Sequence, residues 1–156
     1  MPSTTNGAIS VGYYNQNNNS VVSESGNGYT RNGSIKPDIV AGGSNALVTI
    51  PGGTTSVMTG SSVAGAVVAG CCALILQWAV SDGNYPDIYA SQIKTYIISG
   101  AKTRPGDIYP NRQWGYGMFD LQRIFDWIQQ TYTPRINDDF EEYRVKNLFI
   151  RKPKDL

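Results

Sequence analysis

Two adjacent serines, Ser61 and Ser62, follow Gly60 and open a long uncharged run in "MTGSSVAGAVVAG", Met58 to Gly70. A serine hydroxyl becomes a nucleophile when a base takes its proton, an anion orients that base, and donors await the developing oxyanion. A serine at the start of a helix has two of these conveniences, free backbone N–H groups and the positive end of the helix dipole. Gly60 permits the sharp approach. The same residues also suit a plain helix cap, because serine is a favoured N-cap; local spacing leaves both readings open. The base is the difficulty, since the 156 residues contain no histidine, so no Ser-His-Asp triad can assemble within one copy. A lysine could substitute only if Lys36 or Lys94 were buried beside Ser62 with a lowered pKa, and nothing in the spacing brings either there.

Other reactive side chains have structural readings. Cys71 and Cys72 are neighbours within the apolar run; a disulfide between them would be strained, and both read as packing residues. No metal or other cofactor is implied by them. Asp138, Asp139, Glu141 and Glu142 form an acidic run that suits a solvated stretch and needs no ion. Tyr109, Trp114, Tyr116 and Phe119 sit beside glycines between helices and read as packing under loops. A net charge of +1 gives no electrostatic case for nucleic acid or an anionic membrane as partner. Charge is unevenly placed, with only Glu24, Arg31, Lys36 and Asp38 charged in the first 80 residues and 11 of the 25 charges in Thr133 to Leu156. The charge-poor part is expected to be interior.

The elements that must position Ser62 follow from pattern. "AISVGYY" reads as a buried strand and "KPDIVAGG" supplies another over Asp38 to Ala41. Val21 to Ser34 reads as loop. "ALVTI" and "TTSVMTG" flank Pro51-Gly52-Gly53 as a hairpin or two loosely paired strands. Ser62 to Val80 lacks charge and proline and is predicted to be a helix buried nearly all round. Gly60 to Val80 is long enough for a membrane span, but small residues in its first half, its glycines and the absence of basic flanks argue against one. Pro86 to Ser99 is predicted as an amphipathic helix closed by Gly100, and Asp120 caps a helix running to about Tyr132. "YRVKNLFI" could form an edge strand. Strands alternating with helices predict an α/β fold with a parallel sheet.

"MTGSSVAGAVVAG" resembles the nucleophile motif of the subtilisin-like serine proteases, M-S-G-T-S-M-A-A-P-H-V-A-G. Met58, Gly60, Ser62, Ala64, Val68, Ala69 and Gly70 are identical in a gapless alignment, and the family's catalytic serine falls on Ser62. "AISVGYY" resembles the family strand I-x-V-G-A, and "KPDIVAGG" resembles K-P-D-V-V-A-P-G. "QIKTYIISGAKT" resembles the following helix, and "WGYGMFDLQRIF" the G-x-G-x-V-D-A ending. The blocks are collinear over about residues 2 to 130. Ala66 and Val67 replace the proline and histidine of the motif, and Ala41-Gly42-Gly43 replaces A-P-G. That motif histidine is not the catalytic one. The form "SSVAGAVVAG" is most similar to the branch that includes spore-germination proteases and inactive relatives.

The resemblance implies a subtilisin-like three-layer fold with a mainly parallel sheet and a long buried nucleophile helix. Residues 1–132 would form the C-terminal portion of the peptidase domain and 133–156 a charged extension. Ser62 would be the nucleophile, its N–H half of the oxyanion hole, and Thr59 and Gly60 would line the leaving-group side. The family's aspartate, histidine and oxyanion asparagine all precede the strand matched by "AISVGYY", so the chain is expected to be inactive alone. Asp38 does not correspond to the triad aspartate, and no calcium ligand can be matched. The expected partners are the missing N-terminal portion and a peptide or protein substrate, with self-association of the isolated chain. The competing expectation is a pseudoprotease remnant that binds or assembles, with Ser62 kept only as a cap.

Overall fold

The computed structural model describes residues 4–131. The acidic run and the edge strand read in "YRVKNLFI" lie outside the described residues. Five strands and three helices are formed: β1 (Val11–Asn15), β2 (Ser20–Val21), β3 (Ile39–Gly42), β4 (Ala46–Ile50), β5 (Thr54–Met58), α1 (Ser61–Leu76), α2 (Ala90–Ser99) and α3 (Leu121–Thr131). A π-helical turn, Gln77–Ser81, extends α1.

The main sheet has the order β2-β1-β3. β1 and β3 are parallel, with Val11 opposite Ile39 and Tyr13 opposite Ala41, and a parallel bridge from Val40 to Met118 continues the sheet. Alternation sorts the side chains by face. Tyr13, Ile39 and Ala41 join Ala64, Val68 and Ile75 of α1, Ile93, Tyr96 and Ile97 of α2, and Ile124 and Ile128 of α3 in one core. Val40 faces the other way, against Trp114 and Met118. On this second face the strands are covered by Trp114 and Met118, with Tyr109 packed against them, all from the aromatic connection before α3. The packing role read for Trp114 holds: it is 3% exposed, lies 5.5 Å from the Tyr14 ring and carries the Arg104 guanidinium at 4.9 Å. Burial pushes the Tyr14 phenol pKa up, and the charge of Asp120 adds to that.

The "ALVTI" and "TTSVMTG" segments pair as an antiparallel hairpin around Pro51-Gly52-Gly53, with Gly52 and Gly53 at positive φ. Asp120 caps α3, its Oδ1 accepting from the Arg123 N–H at 3.2 Å. Gly100 does close α2, but for a different reason from the left-handed cap that its sequence position suggests. Its φ is −84°, while a Cβ there would lie 2.6 Å from the Ile124 Cα. Close approach of α3, rather than backbone handedness, requires the glycine.

The expectation of an all-round buried α1 is overturned. Only Ala64, Val68 and Ile75 are buried, joined by Ala79 in the π turn. Val67, Leu74, Leu76 and Val80, on the flanks of this buried stripe, are 41–50% exposed. The sequence is apolar all round, but the described residues cover one stripe. By length and composition Ser61–Ser81 could cross a membrane; in this fold its buried stripe is the helical layer over the sheet. Cys71 and Cys72 are half-buried and unbonded to each other, and burial raises both thiol pKa values.

Candidate active site

β1 and β3 end side by side, and the turn into α1 sits on their C-terminal ends, the edge at which open α/β sheets place ligand sites. β3 runs into Gly43, whose O accepts from the Gly60 N–H at 2.8 Å. A Cβ on Gly43 would meet the Gly60 O at 2.7 Å and the Tyr13 Cβ at 2.8 Å, so the turn is seated directly on the strand ends. Gly60 has φ +152°, a conformation that favours glycine, although no atom crowds a Cβ there.

The loop after β3 is held from two sides. Gln16 accepts from the Ser44 N–H at 3.1 Å and donates to the Ser44 O at 2.5 Å. Asn45, at φ +50°, donates its N–H to the Thr59 Oγ1 at 2.8 Å. Thr59 thus carries a tie to the neighbouring loop in addition to its place beside Ser62. Gln16, Gly43 and Asn45 escaped the sequence reading. An asparagine in a left-handed turn is the only local signal among them, and many loops carry it.

Gly60 occupies the N-cap of α1, Ser61 is its first residue and Ser62 its second, and no side chain caps the helix. Capping therefore does not account for either serine. Both are exposed. The first helical hydrogen bonds run from Val63 and Ala64 to the Gly60 O, so the Ser61 and Ser62 amides precede them and keep free donors at the positive end of α1. A hydroxyl and an amide of the same residue stand together at the edge of the fold, an arrangement able to attack a carbonyl and hold the resulting oxyanion.

No base accompanies them among the described residues. Lys36 and Lys94 are both paired with Asp38, at 2.7 and 2.9 Å, at the opposite end of β3. This removes the lysine-base alternative, and it occupies both oxygens of Asp38 away from Ser62.

The profile described as the Subtilase family matches residues 1–117. The chain belongs to the subtilase family. It is 31% identical over 142 residues to pyrolysin of Pyrococcus furiosus, covering 76% of this chain and 10% of that protein. It is 38% identical over 102 residues to an intracellular serine protease of Paenibacillus polymyxa, covering 61% of this chain and 30% of that protein. Among solved structures, the Clostridium perfringens CspB protease superposes with a TM-score of 0.79 at 39% identity, covering 85% of this subtilase chain and 29% of CspB. The prenylagaramide maturation protease PagA shares the fold at TM-score 0.66 and 24% identity, over 81% of this chain and 44% of its own. The chain thus spans less than a third of the length of the curated relatives it matches.

Proposed function

We propose that this subtilase chain is the nucleophile-bearing, C-terminal portion of a serine endopeptidase and acts only when an N-terminal portion supplies the remaining catalytic groups. The observation that carries the reading is Ser62, exposed at the first turn of α1 with its amide free, in a chain without histidine. In the complete site the Ser62 Oγ attacks the scissile carbonyl while a histidine of the N-terminal portion takes its proton, and the Ser62 N–H steadies the oxyanion. The proton passes to the leaving amine, and water releases the acyl group from Ser62. Thr59 and Gly60 lie on the leaving-group side.

The uncovered side of α1 supports the same reading. Val67, Leu74, Leu76 and Val80 remain exposed along α1, apolar surface that an N-terminal portion would cover. Without it, the same surface drives self-association of the isolated chain. The absence of histidine equally suits a second reading, a pseudoprotease that binds and assembles without hydrolysis.

Fluorophosphonate labelling separates the two. Labelling of Ser62 only after addition of the N-terminal portion as a separate polypeptide, and none in Ser62→Ala, establishes a divided protease. Association of the portions without labelling establishes the pseudoprotease.

A further inference from the structure

At the end of the sheet remote from Ser62, Lys94 of α2 is drawn to a charged pair, Lys36 and Asp38, more than 50 residues earlier in the sequence. Asp38 is 3% exposed and Lys36 8%, and the Lys94 side chain is 18% exposed. Asp38 Oδ2 accepts from the Lys36 Nζ at 2.7 Å and from the Ser10 N–H at 2.7 Å, while Oδ1 meets the Lys94 Nζ at 2.9 Å. The two ammonium groups also reach backwards to main-chain oxygens. Lys36 donates to the Thr5 O at 3.2 Å and the Ala8 O at 3.4 Å. Lys94, from α2, donates to the Asn6 O at 3.1 Å and the Ala8 O at 2.9 Å. The Ser10 O accepts from both the Asp38 and Ile39 amides.

We infer that Lys36, Asp38 and Lys94 form a positioning clamp that fixes the segment 5–10, through which the chain enters β1, and with it the register of β1 against β3. The inference rests on the divided-protease reading. A buried ion cluster is weak evidence for stability, because desolvation offsets much of its attraction; fixing a register is its better-attested use. Here the carbonyls of Thr5, Asn6, Ala8 and Ser10 are all held by the clamp or its backbone, so the direction in which the chain meets β1 is set. β1 and β3 start at the clamp and end under the Ser62 turn, about 16 Å away along a five-residue strand. An N-terminal portion docked against this segment and β1 would take its place relative to Ser62 from the same three side chains. Lys36, Asp38 and Lys94 touch no reacting atom and act through the strands.

The test uses Lys94→Met, which leaves the Lys36–Asp38 pair intact, with Lys94→Arg as the conservative variant, both mixed with saturating N-terminal portion. The rate constant of fluorophosphonate labelling per folded complex is expected to fall at least tenfold in Lys94→Met and to return to within threefold of wild type in Lys94→Arg. A purely structural role would lower the labelled fraction at the end point and leave the rate constant unchanged, which would overturn the clamp. Hydrogen exchange on the full chain provides the second reading. Faster exchange at the Ser10 and Asp38 amides in Lys94→Met, by tenfold or more, supports the clamp, and unchanged exchange overturns it. If the wild-type mixture never labels, the divided-protease reading fails, and the exchange experiment alone decides whether the segment is clamped.

Discussion

The two sides of α1 are made of the same residue types and have opposite surroundings. Ala64, Val68 and Ile75 lie buried against β1 and β3, whereas Val67 and Leu74, one position away from buried neighbours, are half exposed. A hydrophobic stripe marks where a helix packs only when the rest of the helix is polar. In α1 there is no polar side, so one stripe is packed and the rest is left exposed among the described residues. The contrast teaches that apolar sequence measures how much surface a helix needs covered, while the fold decides how much of it this chain covers.

The largest difference is expected between neighbouring positions on the two sides. Ile75→Ala opens a cavity in the core and should cost about 2–5 kcal/mol in denaturant unfolding. Gly43→Ala pushes a methyl group into the Gly60 O and Tyr13, at the seat of the Ser62 turn, and should cost about 1–3 kcal/mol by the same measurement. Gly60→Ala has room for its methyl but the wrong φ, so a smaller loss of about 1–2 kcal/mol is expected, together with slower labelling of Ser62 in the two-portion mixture. Leu74→Ala should change the stability of the chain by less than about 0.5 kcal/mol. Its effect belongs to association: sedimentation should show weaker self-association and weaker binding of the N-terminal portion. A Leu74→Ala loss as large as that of Ile75→Ala would mean that both sides of α1 are core already.

Thiol chemistry gives the mildest probe of the same contrast. Burial raises the pKa of both Cys71 and Cys72, and for Cys72 the neighbouring thiol adds to the effect. A raised pKa keeps the unreactive thiol form, so alkylation by iodoacetamide should be slow near pH 7.5 and accelerate with rising pH above the ordinary cysteine range. Cys72, packed against the core, should react more slowly than Cys71. Equal rates at both would show that the helix does not hold its stripe against the sheet.

Much of the element order was legible. β-branched runs between turn residues located β1 and β3, Asp120 announced α3, and the Pro-Gly-Gly turn announced the hairpin, because each signal is local. The Ser62 turn was legible through the resemblance of Met58 to Gly70 to the subtilase nucleophile motif, not through its local spacing, which suits a helix cap equally. The ties that hold it were not legible. Gln16 to Ser44, Asn45 to Thr59 and Gly43 under Gly60 connect residues distant in sequence, and each looks like an ordinary loop residue in isolation. The Lys36–Asp38–Lys94 cluster was equally invisible, since Lys94 is a surface-type residue on an amphipathic helix until α2 packs beside β1.

The sequence by itself determined that this chain belongs to the subtilase family, that a serine opens its most apolar helix, and that one copy contains no histidine base. Those conclusions depend only on which residues are present and on their order. Tertiary structure alone decided that Gly60 rather than a serine caps α1, that both candidate lysines are held by Asp38, and that the described residues bury only one stripe of α1. Each of these depends on which surfaces meet after the chain turns back on itself, and a one-dimensional pattern carries that information only where the contacts are local.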